Sequence, residues 1–291
     1  DKIVFGAGEF APDTDAGKRL IAHELMHWRQ NEQQSAPNEQ RLHRSVKITA
    51  DLYKKIRPQL DAFISGLWNY LAIDARFDID ARVFRFDDEP LIVASPYVSK
   101  EREKTIATLF ARNYADYYRN VPSGSRYGLQ PGTTVADMMR DGLAKWREVQ
   151  KEIMSVFENG SVTIEEMTKG SEALGAATTF TKNTLDGNIR VNVGDYTGMK
   201  SAVDPGGDSS KLVASFDGFW RLIHELLHIT MQIKSDEPTI TPEKPMGSIE
   251  DRLNYLRIGF GLPTREEYNA KMGGASYVKF ATGTMTYPPR P

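Results

Sequence analysis

The stretch FDGFWRLIHELLHITMQI, residues 216–233, decides how the C-terminal half of the chain folds. Its large apolar side chains recur every three or four residues, which is the spacing of one face of a helix. These are Phe216, Phe219, Trp220, Ile223, Leu227 and Met231. Pro238 and Pro242 follow and would end such a helix. The sequence therefore predicts a buried helix that carries the pentapeptide HELLH at 224–228.

A His-Glu-x-x-His pentapeptide on a helix indicates a particular chemistry. Residues four apart lie on one face, so His224 and His228 can bind one zinc ion. Glu225 can then act as general base toward a water molecule on that ion, whose pKa zinc lowers to about 7. The motif predicts a zinc-dependent hydrolase, and a further protein ligand must come from elsewhere.

Glu250 is the predicted third ligand. It follows His228 by 22 residues and heads a second helical pattern. Asn254, one turn later, could hold a ligating imidazole by its second ring nitrogen. Without any metal, a carboxylate near a helix N-terminus is also favourable for the helix dipole. Four other acidic residues of this region remain alternative ligands: Asp236, Glu237, Glu243 and Asp251.

The segments around this helix predict an α+β fold, mostly helical, with a small sheet beside the His-Glu-x-x-His helix. Residues 177–182 and 188–193 alternate apolar and polar side chains around Asp186-Gly187, which predicts a hairpin. Amphipathic helical patterns cover 40–75, 100–119 and 134–157. The order of strand, glycine-rich loop and motif helix is that of a zincin-like peptidase.

The sequence predicts three parts of the chain. They are 1–37, which ends in an evident break, 38–160, which is mainly helical, and 161–291, the zincin-like region. The last two could form one domain. The tail from 271, rich in Gly, Thr and Pro, is expected to be extended or without fixed structure.

Composition excludes several classes of protein. The chain has no cysteine, which removes disulfides, thiol catalysis and cysteine-ligated metals. With 37 basic and 39 acidic residues, it lacks the excess of a nucleic-acid binder. No apolar run approaches the roughly 18 residues of a membrane span, and no signal peptide is visible. We therefore expect no nucleic-acid partner, no membrane span and a metal chemistry based on histidine and carboxylate.

A second copy of the motif, HELMH at 23–27, lies near the start of the chain. His23 and His27 have the spacing of a metal-binding pair, with Glu24 between them. The nearest candidates for a third ligand are Glu39, His43 and Asp51. The alternative is a remnant whose histidines are satisfied by hydrogen bonds without metal.

Three segments together resemble the NleD-like effector metallopeptidases, zinc-dependent bacterial effector proteases. They are His224-Glu-Leu-Leu-His228, Glu250-Asp-Arg-Leu-Asn254 and Gly261-Leu-Pro-Thr-Arg265-Glu-Glu-Tyr268. The resemblance covers 175–270 and implies that His224, Glu225, His228 and Glu250 form the zinc site. It departs from the family in one respect: the family places its Glu and Asn side by side, whereas Glu250 and Asn254 are four positions apart. Tyr268, or alternatively Arg265, follows the ligand helix and is predicted to stabilise an oxyanion.

The beginning of the chain resembles a different family. Residues 3–10 (IVFGAGEF) and 22–30 (AHELMHWRQ) are similar to the end of a metallopeptidase-like domain found in cargo and toxins of bacterial extracellular contractile injection systems. This resemblance implies an injection or secretion apparatus as a partner. It also implies a protein that is secreted or delivered into a target cell.

Three functions follow from these observations. The first is a zinc endopeptidase, a toxin or effector that cleaves a protein of the target cell. The second is a non-catalytic carrier or scaffold in which the motifs persist as structural metal sites. The third is a self-processing protease, in which cleavage by the first motif would explain a chain that begins at Asp1.

Overall fold

The computed structural model describes residues 45–74, 77–78, 91–93, 97–120, 134–167, 175–234, 246–272 and 275–288. The chain divides into two units, Asp1–His43 and Arg44–Pro291, and all the described residues belong to the second. The first motif at 23–27, with Glu39 and His43, lies outside the described residues. The metal-binding role of His23 and His27 therefore stays a prediction.

The second unit has an α+β fold, as the sequence predicts. Its helices are α1 (Ala50–Leu71), α2 (Lys100–Asn120), α3 (Val135–Asn159), α4 (Val193–Thr197), α5 (Ser209–Ala214), α6 (Gly218–Thr230) and α7 (Gly247–Gly259). Its strands are β1 (Ser45–Ile48), β2 (Ile73–Asp74), β3 (Phe77–Asp78), β4 (Leu91–Val93), β5 (Tyr97–Val98), β6 (Ser161–Glu166), β7 (Ala176–Phe180), β8 (Gly187–Val191), β9 (Lys200–Val203), β10 (Arg265–Met272), β11 (Ala275–Phe280) and β12 (Gly283–Thr286). None of the helices in these described segments is long and apolar enough to cross a bilayer.

A six-stranded sheet of order β3-β4-β1-β6-β8-β7 lies beside the motif helix α6. Strands β1, β6 and β8 run parallel at its centre. The predicted hairpin is confirmed as β7 and β8, which pair antiparallel with Thr178 opposite Ile189. Strand β7 therefore forms the edge of the sheet that packs against α6.

Residues 45–48 are a correction to the helical pattern predicted from residue 40. They form β1, and the helix begins only at Ala50. Val46 and Ile48 point to the buried side of the sheet with a period of two, and β1 pairs with β4 on one side and β6 on the other. Pairing on both edges thus outweighs a short apolar spacing that is compatible with either structure.

Helix α1 packs lengthwise against α6. It buries Leu52, Ile56, Leu60, Phe63 and Leu67, and the predicted interruption is a kink at Ile56, two residues before Pro58. At the contact, a Cβ on Gly218 would clash with the backbone carbonyl of Gln59. Glycine at this position therefore allows the two helix backbones to approach closely.

Helix α6 begins and ends with well-defined turns. Asp217 is its N-cap and accepts hydrogen bonds from the amides of Phe219 and Trp220. At the other end Gln232 has a φ of 55°, and the amide of Ile233 donates back to the carbonyl of His228. The helix is buried from Gly218 to Ile229, as predicted.

A four-stranded antiparallel sheet of order β10-β11-β12-β9 contains the C-terminal segment. The tail was expected to be extended or without fixed structure, and residues 275–280 and 283–286 are extended, because they form β11 and β12. This sheet packs with α5 around its own apolar cluster, made of Leu212, Phe216, Val278, Phe280, Met285 and Tyr287. Through β10 it brings Arg265, and after β12 Tyr287, to the neighbourhood of α6.

Candidate metal centre

Helix α6 places the two histidines of HELLH on one face. The ring centroids of His224 and His228 are 5.0 Å apart, and the ring planes make an angle of 76°. Both residues are buried, as is Glu225 between them. The helical spacing that the sequence analysis required is therefore present, because the rings are one turn apart and adjacent.

The backbone after the helix fixes the orientation of His228. Its Nδ1 lies 2.7 Å from the carbonyl oxygen of Ile233. A carbonyl oxygen can only accept, so Nδ1 must carry a proton, and in the neutral imidazole the lone pair is then on Nε2. This is the tautomer in which an imidazole binds a metal through Nε2.

A carboxylate fixes the orientation of His224 in the same way. Its Nδ1 lies 2.9 Å from Oε1 of Glu250, on helix α7. Burial raises the pKa of Glu250, but the guanidinium groups of Arg257 and Arg265 and the hydrogen bond from His224 outweigh that effect and hold the pKa well below its usual range. An ionised carboxylate only accepts, so His224 also carries its proton on Nδ1.

Glu250 is the centre of a buried charge cluster. Arg257 donates to its Oε2 at 2.7 Å, and Arg265 donates to its Oε1 at 2.9 Å. The structure thus brings the predicted ligand Glu250 next to His224, on the side of Nδ1, with both carboxylate oxygens bonded to protein donors. This is the contact that an orienting carboxylate makes with a metal-binding imidazole.

Asn254 binds the two arginines of this cluster. Its Oδ1 accepts from Arg257 Nη1 at 2.9 Å and from the amide of Arg265 at 2.8 Å, and its Nδ2 donates to the carbonyl of Arg265 at 2.8 Å. The sequence predicts a hydrogen bond from Asn254 to the second ring nitrogen of a ligating imidazole. In the structure these contacts connect it to His224 through Arg257, Arg265 and Glu250.

Glu225 is held from the sheet. The hydroxyl of Thr178, on the edge strand β7, donates to Oε2 of Glu225 at 2.6 Å. Sequence reasoning predicted the strand beside the helix but did not single out Thr178. The candidate general base is therefore positioned from outside its own helix.

A pocket of about 430 Å³, part of it open to solvent, lies in front of these residues. Its walls come from α4, α6, α7, β7, β10 and the segments next to them. The lining residues are Gly175, Ala176, Tyr196, Phe216, Trp220, Arg221, His224, Glu225, Glu250, Arg265 and Tyr287. Arg221, Tyr196 and Tyr287 were not predicted as site residues, because no motif contains them and they come together only in the folded chain.

The remaining predicted residues have different outcomes. Arg265 lines the pocket, whereas Tyr268 lies in β10 with its side chain outside the described residues. Asp236, Glu237 and Glu243 also lie outside them. In the described segments, no group of three or more His, Cys, Asp or Glu side chains is arranged to hold a metal ion. Of the predicted ligands in these segments, the structure brings His224 and His228 together on one face of α6, and Glu250 contacts Nδ1 of His224.

Comparison with known proteins assigns only the beginning of the chain. Residues 1–35 match the family described as the eCIS core domain, which links them to extracellular contractile injection systems. The resemblance stated above for this segment is confirmed to that extent. No curated protein and no solved structure matches the chain. The resemblance of 175–270 to the NleD-like peptidases stays a prediction.

Proposed function

We propose that residues 161–291 contain the active site of a zinc-dependent endopeptidase with a zincin-like arrangement. The observation that carries the proposal is that both motif histidines donate through Nδ1, His224 to Glu250 and His228 to the carbonyl of Ile233. In its neutral form each ring then has its lone pair on Nε2, the atom through which it would bind a metal. A zinc ion bound there would polarise a peptide carbonyl as a Lewis acid and acidify water.

In this proposal Glu225 is the general base. It would take a proton from the attacking water and later give it to the amine of the leaving peptide. Thr178 donates to Oε2, and the proposal assigns the transferred proton to the other oxygen, Oε1. Thr178 would keep the carboxylate from rotating away between the two transfers.

The third ligand has two interpretations that one measurement separates. Glu250 stays the predicted ligand on sequence grounds, while its contact with Nδ1 of His224 supports a positioning role. X-ray absorption on zinc-loaded protein distinguishes them. Glu250→Gln removes one oxygen ligand if Glu250 binds the metal, and leaves the ligand set unchanged with weaker zinc binding if Glu250 only orients His224.

We further propose that the protein is delivered into a target cell and cleaves a protein there. The support is the match of residues 1–35 to the eCIS core domain. Its partners would then be an injection apparatus and a protein substrate. Tyr268 and Arg265 remain the predicted groups for stabilising the oxyanion of the reaction.

The experiment combines metal analysis with a search for new protein N-termini in a lysate of target cells. We expect the protein to bind zinc and to generate new N-termini. Glu225→Gln should keep the zinc and lower cleavage by about 10²- to 10⁴-fold. The matched control is Glu158→Gln, an exposed residue of α3, which should cleave like the parent.

Two outcomes would reject the catalytic assignment. Cleavage that Glu225→Gln leaves unchanged would exclude Glu225 as the base. Bound zinc without any cleavage would favour the carrier or scaffold with structural metal sites. Self-processing by the first motif is tested separately, by the intact mass of a longer precursor with and without Glu24→Gln.

A further inference from the structure

Three side-chain donors in the pocket have no hydrogen-bond partner among the described residues. They are Nη2 of Arg221, Oη of Tyr196 and Nε1 of Trp220. All three atoms are buried, and a buried donor without a partner costs free energy. A group of donors that share one pocket therefore indicates that an acceptor binds there.

Arg221 gives this group a positive charge. It is 7% exposed, and in the described part of the chain no carboxylate lies within ion-pair distance of its guanidinium. The guanidinium carbon lies 3.4 Å from the centre of the Tyr196 ring, and Nη1 donates to the Tyr196 carbonyl at 3.4 Å. Neither contact neutralises the charge, and a buried cation is normally paired with an anion.

The nearby carboxylates are bound to other donors. Glu225, one turn after Arg221 on α6, accepts from Thr178. Asp195 accepts from the amide of Gly175 at 2.9 Å. Burial raises the pKa of Tyr196 far above its usual value, so its hydroxyl stays a donor at neutral pH.

Gly175 leaves room in front of Arg221. Its φ of 70° disfavours a side chain, and a Cβ built there would lie 3.8 Å from Arg221 Nη2 and 3.5 Å from the Tyr287 hydroxyl. The absent side chain thus leaves a methyl-sized space in van der Waals contact with the guanidinium, on the side of the pocket that Gly175 lines. The space is next to Glu225, where the scissile bond would lie in the proposed peptidase.

We propose that Arg221, with Tyr196 and Trp220, forms a subsite for a carboxylate of the substrate. The identification of that substrate as a peptide rests on the proposed function. The carboxylate would be an acidic side chain near the scissile bond or the C-terminus of the peptide. One planar guanidinium with two neutral donors suits the two oxygens of a carboxylate. Arg221 is then a specificity residue of the site.

The test measures binding of three peptides to zinc-loaded, full-length Glu225→Gln protein by calorimetry or NMR. The peptides are acetyl-Ala-Glu-Ala amide, acetyl-Ala-Gln-Ala amide and acetyl-Ala-Gln-Ala with a free carboxylate. We expect the glutamate peptide or the free acid to bind about tenfold more tightly than the neutral peptide. Which of the two binds identifies the source of the carboxylate.

Substitution of Arg221 supplies the second part of the test. Arg221→Gln should abolish the difference between charged and neutral peptides, whereas the exposed Arg140→Gln should preserve it. Arg221→Lys, which retains the charge but loses the planar donor pair, should reduce the difference by about threefold and serves if Arg221→Gln does not fold. Equal affinity for all three peptides, or a difference that these Arg221 variants leave unchanged, would overturn the proposal.

The result is separable from the proposed peptidase activity. Discrimination between the peptides without hydrolysis by the parent protein would support the subsite and reject the peptidase. Hydrolysis by the parent protein without discrimination between the peptides would support the peptidase and reject the subsite.

Discussion

Two buried arginines near α6 differ in their surroundings. Arg257 is completely buried and donates to Glu250, Asn254 and the carbonyl of Ser215. Arg221 is almost as buried, but its contacts are an aromatic ring and one long hydrogen bond to a carbonyl. Arg221 lines the pocket and Arg257 does not, and of the two only Arg257 has an ionised partner among the described residues.

This difference implies a structural role for Arg257 and a ligand-binding role for Arg221. A buried charge with an ionised partner and further hydrogen bonds fixes the arrangement of the elements around it, here α6, α7 and β10. A buried charge without an ionised partner contributes little to the fold and retains its capacity for a ligand. We expect substitutions at the two sites to show this contrast in their free energies of unfolding.

The largest effect is expected for Glu250→Gln. It leaves Arg257 and Arg265 without their anion, and breaking a buried pair in this way costs about 3–5 kcal/mol. Urea denaturation of the metal-free protein measures the loss. The control is Glu166→Gln, whose exposed ion pair with Lys55 contributes less than about 1 kcal/mol. Equal losses in the two variants would show that the cluster around Glu250 has no special role in stability.

The second effect concerns the pKa of the N-cap Asp217, on which the charges of both arginines act. Burial raises its pKa from 3.8 to about 6, against the hydrogen bonds from Phe219 and Trp220 and the charges of Arg257 and Arg221. The folded state therefore favours the protonated form. The stability that this proton contributes is present below about pH 4 and is lost as the pH rises through about 6.

Asp217→Asn keeps the acceptor oxygen but does not titrate. Relative to the parent, the stability of this variant should rise by about 2 kcal/mol between pH 4 and pH 7. Thermal unfolding across this range measures it. The control is Asp208→Asn at the exposed N-cap of α5, where hydrogen bonds from Ser210 and Lys211 lower the pKa of Asp208. The stability of this variant relative to the parent should therefore fall, not rise, with increasing pH. A stability difference between Asp217→Asn and the parent that does not change with pH would contradict the raised pKa of Asp217.

The smallest effect is expected for Arg221→Met. The variant loses the stacking on Tyr196 but also removes a buried charge that has no ionised partner among the described residues, so its stability should stay within about 1 kcal/mol of the parent. Arg257→Met is the matched comparison and should be much less stable. A large loss in Arg221→Met would mean that Arg221 is structural, and the contrast between the arginines would fail.

The sequence was sufficient to predict the parts of the site that follow local periodicity. The motif helix and the β7–β8 hairpin follow from spacing within single segments. Glu250 was predicted as a metal ligand from its distance downstream of the motif, and the structure places it beside Nδ1 of His224. Strand β1 was missed because Val46 and Ile48 fit both a helix and a strand, and its partners β4 and β6 are distant in sequence.

Thr178, Arg221 and Tyr287 could not be predicted for a related reason. Their roles depend on contacts made by three different elements, a strand edge, a helix and the end of a second sheet. Nothing in a single segment distinguishes Arg221 from a surface arginine. The two arginines differ only in the folded chain, where Arg257 forms an ion pair with Glu250 and Arg221 has no ion-pair partner among the described residues.

The contact between Gly218 and Gln59 has a consequence for the chemistry of the site. Because the two backbones touch at the first residue of α6, that helix cannot slide along α1 without a collision. The contact therefore also fixes the position of the imidazoles of His224 and His228, which lie further along the same helix. The wall of the pocket that α6 forms is thus fixed in position, whereas its other walls come from separate elements, among them β7 and β10.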